Sequence, residues 1–125
     1  MMLHNFRELI AWQKAMPLTK NVYILTANFP ANERFGLVSQ FQRASVSIPA
    51  NIAEGAGRAT PKELVNFLSF SLGSVYELET ELLLAKEFNY IDEKQSNQIH
   101  EDVIEVQKLV YSLMKKYEST NDTIH

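Results

Sequence analysis

The chain has 125 residues and a mass of 14.3 kDa; 46% of its residues are hydrophobic, 22% are charged, and the net charge is −3 with no cysteine. That is one globular domain's worth of chain, and the missing cysteine excludes a disulfide framework, a thiolate metal site and a cysteine nucleophile. Its longest apolar runs fall far short of the roughly 20 residues a membrane span needs, and the opening MMLHNFRELIAWQK lacks the layout of a secretory signal, so a cytoplasmic protein is expected.

The first helical segment is predicted from about Asn5, a plausible N-cap, to Asn28. Ala11, Ala15, Leu18, Val22, Leu25 and Phe29 step by four and three and form one apolar stripe. Pro17 cannot donate to the carbonyl of Gln13, which predicts a kink rather than a break. Phe29-Pro30 ends the segment, because a residue before proline avoids the helical region.

The second segment is predicted over 33–56, with Leu37, Phe41, Ala44, Ile48 and Ile52 as its apolar face. The pattern stays in phase across Pro49, so one kinked helix is expected. At about 100° per residue, Gln40, Arg43, Ser47, Asn51, Glu54 and Arg58 share a narrow polar arc. Short uncharged polar side chains suit a close helix–helix or subunit contact, a solvent-facing surface or a ligand-binding one, and Glu54 can pair with Arg58 one turn on. Gly55 and Gly57 supply permissive positions to end the helix.

The third segment starts cleanly at Thr60-Pro61-Lys62-Glu63, which joins an N-cap hydroxyl, proline at the first helical position and a glutamate three residues after the cap. Leu64, Leu68, Ser71, Val75, Leu78, Leu82 and Ala85 keep a strict four-three alternation, the period of left-handed coiled packing. Phe67, Phe70, Leu72, Tyr76, Leu83 and Leu84 add apolar area on other sides. One neighbour cannot cover so much, so this helix is expected to be central or to face another subunit.

The fourth segment begins at the capping pair Asp92 and Gln95, and Ile99, Val103, Val106, Val110, Leu113 and Tyr117 form a second four-three stripe. The expectation is an all-α, up-down-up-down antiparallel four-helix bundle over 1–118, with a flexible tail over 119–125. A three-helix bundle with a broken second segment is the alternative.

Catalytic chemistry finds no foothold. A di-iron bundle needs Glu-x-x-His motifs, yet Asn97 stands three residues before His100, and His4 and His125 lie near the termini. Glu77, Glu79 and Glu81 are spaced by two, which spreads them around the helix and predicts a solvated acidic face. No serine sits in a Gly-x-Ser-x-Gly turn, and Gly55-Ala56-Gly57 is too short for a phosphate loop. No metal or cofactor is expected, and no enzyme.

Charge is distributed unevenly. Residues 1–62 carry +4 and residues 63–125 carry −7. Either the halves neutralise each other within the fold, or the first half builds a basic face, with Arg34, Arg43, Arg58 and Lys62 as candidate contacts to RNA or DNA.

A longer string now stands out: Phe35-Gly36-Leu37, Gln40, Arg43-Ala44, then Ser47-Ile48-Pro49-Ala50-Asn51-Ile52-Ala53-Glu54-Gly55 and Gly57-Arg58. With Leu9-Ile10-Ala11-Trp12, Tyr23 and Phe29-Pro30 upstream, and Phe67-Leu68, Gly73-Ser74 and Glu77-Leu78-Glu79-Thr80 downstream, it resembles the signature of the four-helix-bundle proteins encoded in intervening sequences of bacterial 23S rRNA genes. The resemblance covers about residues 6–117. It implies a cytoplasmic bacterial protein, a left-handed up-down bundle and often a ring-shaped homopentamer. The family is similar to the accessory protein of diversity-generating retroelements, a pentameric bundle thought to bind nucleic acid and a reverse transcriptase. Taken together, the expected role is a non-enzymatic, self-associating scaffold or accessory factor in an RNA-linked process. Its partners would be further copies of itself, another protein or weakly bound nucleic acid, and no membrane.

Overall fold

The computed structural model describes residues 5–124, with side chains through Glu118. Four helices, α1 (Ile10–Thr26), α2 (Leu37–Ala56), α3 (Pro61–Glu87) and α4 (Glu93–Ile124), make an all-α fold with no strand among the described residues. None is long and apolar enough to cross a membrane. His4 and His125 lie outside the described residues. So does the expected tail over 119–125, apart from the helical bounds of α4.

The first segment is not one helix from Asn5. Asn5 caps a short 3-10 turn, Phe6–Glu8, by accepting from the Arg7 N–H at 3.2 Å, and Leu9 is then extended. Two local contacts hold that turn: Gln13 Nε2 donates to the Arg7 carbonyl at 2.8 Å, and the Phe6 ring meets Trp12 edge-on at 5.2 Å. α1 runs from Ile10 through Pro17 without interruption.

The second segment likewise divides, into a 3-10 turn at Ala31–Glu33 and α2 from Leu37. Glu33 makes the corner. One carboxylate oxygen accepts from the Leu37 N–H at 3.3 Å, capping α2, and the other accepts from the Tyr90 hydroxyl at 2.8 Å. A Cβ on Gly36 would lie 2.9 Å from the capping oxygen, so glycine keeps the corner open.

α2 continues through the buried Pro49, as its in-phase pattern predicts. Proline leaves the Ser45 carbonyl without its helical donor, and the Thr19 hydroxyl of α1 donates to that oxygen at 2.8 Å instead. From the other side, Ser71 of α3 donates to the Ile48 carbonyl at 2.9 Å. The single polar member of the α3 stripe is thus a buried hydroxyl that pins the helices around the proline.

Gly55 and Gly57 do not work as expected: no glycine has a positive φ among the described residues, and Gly57 ends α2 in a right-handed conformation. Gly55 serves proximity instead. A Cβ there would lie 2.9 Å from Phe67 Cβ and 3.1 Å from Leu64 Cδ1. The left-handed residue is Asn89, φ 63°, which ends α3; its N–H reaches the Lys86 carbonyl and the Tyr90 N–H the Ala85 carbonyl, a Schellman arrangement.

The other caps match the pattern. Thr60 Oγ1 accepts from the Glu63 N–H at 3.2 Å, and Asp92 and Gln95 exchange side-chain bonds with each other's backbone N–H at 2.7 and 3.0 Å. Each helix packs on its sequence neighbours and α1 on α4. The contacts of Ile48 with Ser71 and of Gly55 with Leu64 make α2 and α3 antiparallel, as those of Thr19 with Ser45 and Thr26 with Gln42 do for α1 and α2. Leu18, Phe41, Ile48, Leu68, Leu78 and Val103 lie at the fully buried centre.

Candidate interaction face on the second and third helices

The polar arc of α2 splits into three parts. In its middle, Asn51 Nδ2 donates to both the carbonyl and the Oγ of Ser47 at 2.9 Å, and the Ser74 hydroxyl of α3 donates to the same Oγ at 2.8 Å. These three side chains form a half-buried clasp between the helices. Toward the end of α2, Arg58 meets Glu54 at 3.0 Å and lies over the Phe67 ring of α3 at 4.5 Å. Toward its start, Gln40 and Arg43 are exposed, and Arg43 has no ion pair among the described residues. Both line an open depression of about 920 Å³ floored by α2, with Tyr23 of α1 and Glu77 of α3 on its sides.

The acidic trio of α3 is not one solvated face. Glu77 is exposed, but Glu79 turns to α4 and meets His100 Nε2 at 2.8 Å. Glu81 is only 3% exposed, and its Oε1 has no hydrogen-bond partner. Burial pushes its carboxyl up from 4.5 to about 7, helped by the negative charge of Glu77. The sequence did hold the signal: Glu81 follows Leu78 by three and precedes Ala85 by four, so it shares the apolar stripe.

The four candidate nucleic-acid contacts do not converge. Arg34 lies over Phe35 at 5.3 Å and Lys62 is exposed at the start of α3, so the two flank opposite ends of α2, about 30 Å apart at 1.5 Å per residue. Between them Arg43 is free and Arg58 is engaged by Glu54. Nor do the two halves of the chain neutralise each other by contact. Among the described residues, Lys14 alone of the seven Lys and Arg in 1–62 reaches a carboxylate of the second half, Glu105, at 3.8 Å with both partners about half exposed. Among the described residues no three His, Asp or Glu side chains gather where they could hold a metal ion.

The apolar surplus of α3 remains. Although α3 packs on both α2 and α4, Phe70, Tyr76, Leu83, Leu84 and Phe88 keep 41–54% of their surface in water. Of the six residues the sequence singled out, Phe70, Tyr76, Leu83 and Leu84 are exposed, whereas Phe67 and Leu72 are partly buried; Phe88 was not foreseen.

Comparison with known proteins adds a lineage. The family model of the 23S rRNA-intervening sequence protein matches residues 7–112. The fold is similar to a crystal structure from Bacteroides thetaiotaomicron, a protein of unknown function from the S23 ribosomal protein family, with a TM-score of 0.77 and 26% identity over 85% of this chain and 96% of that one. No curated protein matches.

Proposed function

Because the chain belongs to the 23S rRNA-intervening sequence protein family, we propose that it is a non-enzymatic, self-associating bundle that serves as a scaffold or accessory factor in an RNA-linked process in the cytoplasm. One observation carries the reading. A helix already packed on two neighbours leaves four large apolar side chains, and Phe88 at its end a fifth, about half exposed. With about half of each surface left to cover, burial against another copy would be worth roughly half the value of full burial, about 1 kcal/mol each. The family resemblance supplies the form of the assembly, a ring-shaped pentamer.

The test is substitution on the exposed flanks. Phe70→Asp and Leu83→Asp should keep the helical circular-dichroism signal and lower the mass in solution. An unchanged mass would remove α3 as the contact surface.

Direct, weak binding of RNA or DNA is the second reading, favoured by the free guanidinium of Arg43 in the open depression. It predicts filter retention of duplex DNA or rRNA at low salt, lost steeply as salt rises and weakened by Arg34→Glu and Lys62→Glu. No retention at low salt ends that reading.

A further inference from the structure

The helices leave large apolar side chains in water unevenly: among the described residues α1 and α3 expose four each, and α2 and α4 one each. α1 and α3 stand diagonally in the bundle. Each packs on α2 and α4 and not on the other, so their outer faces look to opposite sides. Their charges differ as well. α1 carries Lys14 and Lys20 and no carboxylate, whereas α3 carries five glutamates against Lys62 and Lys86. α4 is rich in carboxylates too, but Tyr111 is its one exposed large apolar side chain among the described residues.

The middle of the α3 face holds a notch. Gly73 is exposed near the centre of the helix, and a Cβ there would meet nothing within 4 Å. Alanine would suit the helix better, and unlike Gly55 this glycine makes room for nothing in its own chain. By helical spacing Phe70 and Tyr76 stand about 60° to either side of it, with Glu77 one turn on. Glu77 is exposed and has no ion pair among the described residues, not even with Arg43 across the depression. Lys62 and Lys86 lie about 22 and 14 Å from it along the axis. On α1, Met16, Lys20, Tyr23 and Ile24 are all exposed and share an arc of about 100°. Lys14 reaches Glu105, whereas Lys20 has no ion pair among the described residues.

We infer that the outer face of α1 in one copy packs antiparallel on the outer face of α3 in a second copy, with Ile24 entering the notch at Gly73 and Lys20 pairing with Glu77. The inference rests on the self-association proposed above and names what covers α3. One register serves both contacts. Lys20 precedes Ile24 by four residues and Glu77 follows Gly73 by four, which antiparallel helices bring together and parallel ones separate. The same register carries Ile10 to Phe88, 14 residues before Ile24 and 15 after Gly73. Because the two faces lie on different helices, the contact is head-to-tail. Each copy keeps one face of each kind free until a ring closes or a filament grows.

Sedimentation of the full chain tests it. Gly73→Leu should keep the helical signal, because leucine is the better helix former and meets open space in its own chain, yet it fills the notch and should weaken association about tenfold or more. Ile24→Asp alters a side chain already in water and should do the same. Lys20→Glu and Glu77→Lys should each weaken association, and the double variant should recover it, because the pair is restored with its signs exchanged. Mixing reads the geometry. Ile24→Asp copies keep a sound α3 face and Phe70→Asp copies a sound α1 face, so each alone should lose the native mass, and an equal mixture should form a one-to-one dimer that grows no further. The inference falls if Ile24→Asp or Gly73→Leu keeps the native mass, if the double charge variant fails to recover, or if the mixture forms no dimer. A native chain that sediments as a monomer sinks the self-association reading with it. A native assembly broken by Phe70→Asp but indifferent to Ile24→Asp and Lys20→Glu sinks this contact alone.

Discussion

Glu81 makes the stability of the fold depend on pH in a sense opposite to that of most carboxylates. Its folded value, about 7, lies above its ordinary 4.5, so folding favours the protonated form. The stabilisation is fully present below about 4.5 and is lost as pH rises through 7. Asp102 is shifted in the same direction, chiefly by burial and then by Glu105 and Glu101, and adds to the trend at lower pH. Glu81→Gln should therefore melt like the native chain near pH 5 and be more stable near pH 8, by on the order of 2 kcal/mol. Thermal melts at the two pH values read this out, and equal melting of both proteins at pH 8 would refute it. Thr19 makes a second prediction. Its hydroxyl serves the carbonyl that Pro49 orphans, so Thr19→Val should cost about 1–3 kcal/mol in urea unfolding, as expected for an acceptor left without a donor. A cost within about 0.5 kcal/mol, the usual range at an unconstrained surface site, would contradict that role.

Among the elements, what the sequence displayed and what it hid divide along physical lines. The apolar stripes of α2, α3 and α4 were legible because burial imposes a 3.6-residue period on the sequence itself. The caps at Thr60 and Asp92 were legible because donor and acceptor lie three residues apart. The starts of α1 and α2 were not. Both begin after a 3-10 turn held by side-chain contacts that periodicity does not display: Trp12 on Phe6, six residues apart, for the first, and Tyr90, 57 residues distant, on Glu33 for the second. The role of Gly55 was hidden for the same reason, since the Leu64 and Phe67 atoms that forbid a Cβ belong to another helix. Gly55→Ala should destabilise the fold by about 1–3 kcal/mol, the usual cost of forcing an extra carbon into a packed contact, although alanine is the better helix former. A stabilised variant in chemical denaturation would show that α2 and α3 can part without loss. The candidate site was half legible. The clasp of Ser47 and Asn51 and the Glu54–Arg58 pair follow from helical spacing, whereas Ser74 as their partner and the solitude of Arg43 depend on how α3 is set against α2.

For the whole molecule, three features stand together: a well-filled core, apolar side chains left in water on both flanks of α3, and two halves of opposite charge with one ion pair between them among the described residues. In the self-association we propose, the last two would supply apolar area for affinity and charge for orientation. Light scattering on the purified, nuclease-treated chain at tens of micromolar measures this directly. The account predicts a whole-number multiple of 14.3 kDa, five for the closed ring. A particle of 14.3 kDa that stays single across that range would contradict it.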